Sequence, residues 1–141
     1  MSGKKLWQEA DRWYRQAVDD LDVAAVLLNS RKYAQSCFNA QQAAEKGLKA
    51  VCYLLDTDPW GHSCTKLIQN LPEVERNRFD EAIEAALSLD KLYIPTRYPD
   101  ALAELIPTEA FTQKEAEAAI SLSQEILTLV EARIYKGDND F

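Results

Sequence analysis

Tyr33-Ala34-Gln35-Ser36-Cys37-Phe38-Asn39-Ala40-Gln41-Gln42-Ala43-Ala44-Glu45-Lys46-Gly47-Leu48-Lys49-Ala50-Val51 is the stretch whose spacing decides the fold. Apolar or small residues return at Tyr33, Cys37, Ala40, Ala44, Leu48, Val51 and Leu55, in steps of three and four. That repeat belongs to one face of an α-helix and predicts a helix over 31–55. Gln42, Glu45, Lys46 and Lys49 fall opposite, as a polar face, with Glu45 and Lys49 at the favourable i,i+4 order. Ala40, Ala43, Ala44 and Gly47 allow another helix to approach closely. Asp56-Thr57-Asp58-Pro59-Trp60-Gly61 then ends the pattern in turn-forming residues.

Outward from this helix, the same periodicity recurs on both sides. Trp7, Ala10, Tyr14, Ala17, Leu21, Ala24 and Leu28 predict a helix over 6–28, with Glu9, Arg12, Asp19 and Asp20 turned mainly away. Asn29-Ser30 interrupts it, and Ser30 is the expected N-cap of the second helix. Downstream, a short helix is expected over 63–70, carrying Leu67 and Ile68, with Leu71 just beyond. Pro72 suits the start of another, reaching about Leu89 with Val74, Phe79, Ala82, Ile83, Ala86 and Leu87 inward. The prolines at 95, 99 and 107 forbid a continuous helix over 90–107.

Thr112-Gln113-Lys114-Glu115 fits a capping box opening the last helix, whose apolar face is Ala116, Ala119, Ile120, Ile126, Leu127, Val130 and Ile134. The expectation is an all-α, up-and-down bundle forming one domain over 1–135, followed by a flexible tail over 136–141. The long first two helices carry more apolar surface than one such core requires, which points to a homodimer.

Composition narrows the function. The chain has 141 residues, 47% of them hydrophobic, and only four glycines and five prolines, which suits one folded domain. Its net charge is −7, with scattered Lys and Arg, so a long nucleic-acid duplex is an unsuitable partner. The three cysteines, Cys37, Cys52 and Cys64, form no CxxC pair and read as reduced thiols. No apolar run approaches the roughly 20 residues of a membrane span. With Met1-Ser2-Gly3-Lys4-Lys5 leading directly into an amphipathic pattern, a cytoplasmic protein is expected.

Few residues suit chemistry. His62 is the only histidine, with Cys64 its only close soft neighbour, whereas zinc sites need about three or four ligands. No metal, cofactor or catalytic residue is therefore assigned. The distinctive string is Leu89-Asp90-Lys91-Leu92-Tyr93-Ile94-Pro95-Thr96-Arg97-Tyr98-Pro99-Asp100. Pro95 and Pro99 are expected to drive Ile94 and Tyr98 toward extended backbone. Tyr93 and Tyr98 could stack a base while Arg97 clasps a phosphate. Equally, Arg97 could pair with Asp90 or Asp100 while the tyrosines pin the loop.

Three strings together resemble the HEPN family (higher eukaryotes and prokaryotes nucleotide-binding domain). They are Tyr33 to Ala50, with its Ala-Glu-Lys-x-Leu-Lys ending, then Gly61-His62-Ser63, then Tyr93 to Asp100 with Arg-Tyr-Pro-Asp. The resemblance spans about Trp13 to Val130. It implies a four- or five-helix up-and-down bundle that dimerises, often paired with a minimal nucleotidyltransferase in a toxin–antitoxin-like two-component system. Many members are metal-independent ribonucleases using Arg-x(4–6)-His. Here His62 would require an arginine at positions 55 to 57, which hold Leu55, Asp56 and Thr57.

The leading expectation is thus a non-catalytic nucleotide-binding or interaction module, with Lys46, Lys49, His62, Tyr93, Arg97, Tyr98 and Asp100 as candidate nucleotide-binding residues. A ribonuclease with a displaced active site and a purely structural, protein-binding scaffold are the alternatives.

Overall fold

The computed structural model describes residues 2–136. Helix α1 (Gly3–Asn29) and α2 (Tyr33–Leu54) form an antiparallel hairpin. Three short helices follow: α3 (Cys64–Gln69), α4 (Glu73–Arg78) and α5 (Ile83–Asp90), with a 3-10 turn over Asp80–Ala82. A loop with a second 3-10 turn (Pro99–Ala101) leads through α6 (Pro107–Ala110) to α7 (Gln113–Lys136). The described residues hold no strand. The result is an all-helical bundle whose third arm is broken into short pieces.

Helix α2 is the axis of the molecule, packed by α1 on one side and α7 on another. Thirteen of its 22 residues are buried, far more than a single stripe requires. Its small residues make this possible. Gly47 lies so close to α7 that a Cβ there would overlap Leu127 Cδ2. The core then closes with Leu48, Val51, Ile68, Phe79, Leu89, Ile126, Leu127, Val130 and Ile134, all essentially inaccessible. Aromatic latches join the far end of α7 to the start of α1. Trp7 Nε1 donates to the Ile134 carbonyl at 3.2 Å, Tyr14 to Glu131 at 3.0 Å and Tyr135 to Asp11 at 2.5 Å.

Several sequence expectations are corrected. Ser30 does not cap α2; it closes α1, and α2 follows Lys32 without a side-chain cap. The reversal is made by Arg31 in the left-handed region (φ 62°), with Arg31 N–H bonded to Leu28 O and Lys32 N–H to Leu27 O. This is the paired-bond closure that a left-handed residue after a helix permits. Asp56 (φ 55°) ends α2 in the same way, through bonds to Tyr53 O and Cys52 O.

The single helix expected from Pro72 to Leu89 is broken between Arg78 and Ile83. Asn77 and Asp80 are weak helix formers, and the break turns Phe79 fully into the core. Val74 and Leu87, expected inward, are exposed, while Ala85 and Leu89 are buried instead. Glu45, expected on a polar face, is buried because the loop before α3 covers that side of α2.

The last helix behaves as its sequence requires. Glu115 N–H donates to Thr112 Oγ1 at 3.2 Å, and Thr112 N–H donates to Glu115 Oε1 at 3.0 Å. Lys136, expected as the first residue of the tail, is the last residue of α7. The rest of that segment, 137–141, lies outside the described residues. Among the described residues no helix is long and apolar enough to cross a membrane.

Candidate functional site

The end of α5 sets the position of the loop that carries His62. Asp90, the last residue of α5, accepts from Ser63 Oγ at 2.7 Å, from Cys64 N–H at 2.6 Å and from Thr65 N–H at 3.2 Å. Its carboxylate thereby satisfies backbone donors that the start of α3 would leave open. Gly61, at φ 101°, supplies the left-handed turn just before. Together they hold His62 over the polar side of α2.

There the imidazole stacks on Tyr93, with ring centroids 4.7 Å apart and planes 15° from parallel. Its Nδ1 lies 3.4 Å from Glu45 Oε2. Glu45 is buried, and burial of a carboxylate is costly unless it is paired. Here Lys49 Nζ lies 3.3 Å away and Gln41 Nε2 donates at 3.3 Å. Gln41 also donates to the His62 carbonyl at 3.3 Å, tying α2 to the loop.

Arg97 forms the other half of the cluster. Its Cζ sits 4.2 Å from the Tyr93 ring centre, 4.6 Å from Phe38 and 4.9 Å from Tyr98. Its Nε donates to the Tyr93 carbonyl at 2.9 Å. Neither Asp90 nor Asp100 pairs with it, and among the described residues no carboxylate makes an ion pair with this guanidinium. Asp90 is committed to α3, and Asp100 is exposed in its 3-10 turn. Aromatic faces stabilise the cation, while its outer N–H groups keep their capacity to donate. The string does not run extended throughout. Arg97 and Tyr98 N–H both return to the Ile94 carbonyl, and Tyr98 takes the expected extended backbone, at φ −120° and ψ 128°.

The seven candidate residues therefore separate. His62, Tyr93, Arg97 and Tyr98 converge, and Lys49 joins them through Glu45. Lys46 does not belong to this cluster. Its Nζ lies 2.6 Å from Asp20 Oδ2, and it lines a different cavity beside α1. Phe38, Gln41 and Glu45 complete the cluster and were not singled out as site residues. Their signal was present as a second helical line, Phe38, Gln41, Glu45 and Lys49, repeating at three and four.

Cysteine chemistry finds no support in these surroundings. Burial pushes the Cys37 thiol up to about 12 and raises Cys52. Cys64, beside His62 in sequence, is driven well up by burial, reinforced by Asp90 and Glu45. These thiols stay protonated, and the thiolate is the nucleophile. Among the described residues no three of His, Cys, Asp and Glu gather as a metal site requires.

The chain is similar to several known proteins over most of its length. A Methanocaldococcus jannaschii protein named "Putative toxin MJ1304" is 27% identical over 130 residues, covering 86% of each chain. The crystal structure of TT1696 from Thermus thermophilus superposes with a TM-score of 0.83 at 42% identity, covering 89% of this chain and 98% of that one. ST0689, described as an archaeal HEPN homologue, gives 0.75 at 32% identity with the same coverage. A HEPN domain protein from Thermotoga maritima gives 0.62 at 29%, covering 85% and 94%. The profile of the HEPN domain matches residues 10–133, which takes in all three strings that build the Arg97 cluster, and the chain belongs to the HEPN domain family.

Proposed function

We propose that this chain is a non-catalytic, nucleotide-binding interaction module whose ligand is held by its phosphate at Arg97. One observation carries the reading. Arg97 is a guanidinium on three aromatic faces with no carboxylate in ion-pair contact among the described residues. Planar guanidinium edges recognise phosphate oxygens in bidentate fashion, and a fixed side chain loses less freedom on binding. Tyr98, 49% exposed, offers a face on which a base can stack. His62 lies beside the same Tyr93 ring and contributes a second donor.

Calorimetric titration of the purified protein with nucleoside triphosphates tests this. The expected result is saturable binding that Arg97→Ala abolishes and Arg97→Lys weakens. No heat at millimolar nucleotide, or heat unchanged by Arg97→Ala, overturns it and leaves a scaffold role. Resemblance to a protein named as a toxin supports the further reading that the module partners a minimal nucleotidyltransferase. Co-purification of the two from one cell, lost in an Arg97 variant or reversed by nucleotide, tests that link.

A second reading draws on the His62–Glu45 contact. A half-exposed imidazole beside a carboxylate has the makings of an acid–base pair. Cleavage of short RNA without metal, lost in His62→Ala, would favour a ribonuclease with a displaced site. Intact RNA removes it.

A further inference from the structure

His62 is the only histidine of the chain, and imidazole is the side chain whose charge ordinarily changes between about pH 5 and 8. The ring lies against Tyr93 at 4.7 Å, and the Arg97 guanidinium lies against the same ring at 4.2 Å. Imidazole and guanidinium are therefore no further apart than those two distances together, a span that one polyphosphate chain bridges. A change of charge on the ring is felt by any anion held at Arg97.

The two ring nitrogens have different roles. Nδ1 lies 3.4 Å from Glu45 Oε2, and a carboxylate only accepts, so Nδ1 carries its hydrogen whether the ring is neutral or charged. The proton that comes and goes is the one on Nε2, which makes no hydrogen bond among the described residues. The imidazole is 59% exposed, whereas the Glu45 side chain beneath it is 4% exposed. In the neutral ring Nε2 presents a lone pair, which repels a phosphate oxygen. In the charged ring it presents an N–H donor and a positive charge. One atom thus changes from opposing the ligand to binding it. The backbone below is held independently of that charge, by Gln41 on the His62 carbonyl and by Asp90 on the next three residues.

Charges around the ring pull in both directions. From α2, Glu45 attracts a proton to it, while Lys49, 3.3 Å from the same carboxylate oxygen, repels one. Gln41 and Gln42 bring only neutral amides to the other oxygen of Glu45. From the loop after α5, Arg97 repels a proton beside Tyr93. From α5, Asp90 is committed to the start of α3, and the Cys64 thiol stays protonated. On the loop itself, Asp58 accepts from the Trp60 N–H. The added negative charge of a bound polyphosphate then favours the charged ring.

We propose that anion binding at Arg97 is proton-linked through His62: a polyphosphate draws a proton onto Nε2, and that proton completes a second cationic donor. Glu45 is the positioning residue, which holds Nδ1 and so leaves Nε2 for the ligand. The inference rests on the reading of Arg97 as a phosphate-binding residue. The complex binds the proton more tightly than the empty site does. Its added affinity is complete below the pH at which the empty site's imidazole titrates, and is lost as pH rises through the titration of the complex.

A lone histidine makes the test direct, because its ring signal in the proton magnetic resonance spectrum of the untagged chain needs no assignment. Its titration is followed with and without saturating adenosine triphosphate. The expected midpoint is about one pH unit higher with the nucleotide, equivalent to about 10-fold tighter binding at acid pH. Arg97→Ala should remove that shift. Glu45→Gln, with wild-type helical circular dichroism, should move both midpoints to lower pH. Calorimetry of wild type against His62→Asn, in which the nucleotide's own titration cancels, should show the same 10-fold gain toward acid pH. A midpoint unmoved by saturating nucleotide, or the same pH profile of binding in His62→Asn, overturns the proposal and leaves the Arg97 reading standing. No nucleotide binding at any pH across the titration overturns both.

Discussion

Asp90 and Cys64, 26 residues apart, are joined by a 2.6 Å hydrogen bond from the Cys64 backbone N–H to the Asp90 carboxylate. That bond ends α5 and starts α3 in one contact, and it fixes the loop from which His62 reaches Tyr93. Asp90→Ala removes three such bonds at once. The expected cost is about 3 kcal/mol, with Asp90→Asn losing less because one acceptor remains. Urea denaturation measures it, and a loss below that of an exposed substitution would contradict the capping role.

A second long-range pair holds the broken arm to the last helix. Arg133 donates from Nε and Nη2 to the two oxygens of Glu75 at 2.7 and 2.9 Å, with both side chains largely buried. Arg133→Met strands most of the Glu75 charge, although Arg78 remains 3.5 Å from it. The expected destabilisation is about 3 kcal/mol, and Arg133→Met with Glu75→Leu should recover much of it. Thermal unfolding of the single and double variants checks both parts.

These two contacts mark the limit of what the sequence made legible. Periodicity alone located α1, α2 and α7, because Trp7 to Leu28, Tyr33 to Leu55 and Ala116 to Ile134 each repeat at helical spacing. The Thr112–Glu115 box was readable because capping is local. Glu45 was misread, since one helix's pattern separates apolar from polar but cannot reveal that the loop before α3 covers the polar side. The break at Asn77–Asp80 escaped for a related reason. Weak helix formers permit a break there, and only the core that receives Phe79 requires one. Arg97 was seen, but its aromatic partner Phe38 lies far along the chain. Nearby acids offered the obvious pairing.

Close approach of α2 and α7 sets a further expectation. Alanine favours a helix over glycine by up to about 1 kcal/mol, but a Cβ at Gly47 collides with the buried Leu127 side chain. The collision should win. Gly47→Ala is expected to lose about 1 kcal/mol net and Gly47→Val more, in line with overpacked cores. A stabilised Gly47→Ala variant would show that α7 can yield.

The latch between α1 and α7 predicts alkaline sensitivity. Burial, followed by the bond to Glu131, pushes Tyr14 up to about 12, and burial, followed by the bond to Asp11, raises Tyr135 further. A tyrosine whose folded pKa exceeds its unfolded value of about 10 gives its full stability below that value. The contribution is lost as pH rises through the folded pKa. Stability should therefore fall from about pH 10 upward, less steeply in Tyr14→Phe and Tyr135→Phe. Denaturation at stepped pH, with tyrosinate absorbance as a second readout, checks this.

The central claim is that the outer edge of Arg97 receives an anionic ligand while its Nε stays bonded to Tyr93. Nuclear magnetic resonance of the Arg97 Nε–H group, assigned through its loss in Arg97→Lys, reports on that atom during titration with adenosine triphosphate. The account predicts a saturable shift of this signal together with the amides of His62, Tyr93 and Tyr98. An unmoved Arg97 signal at millimolar nucleotide would contradict it.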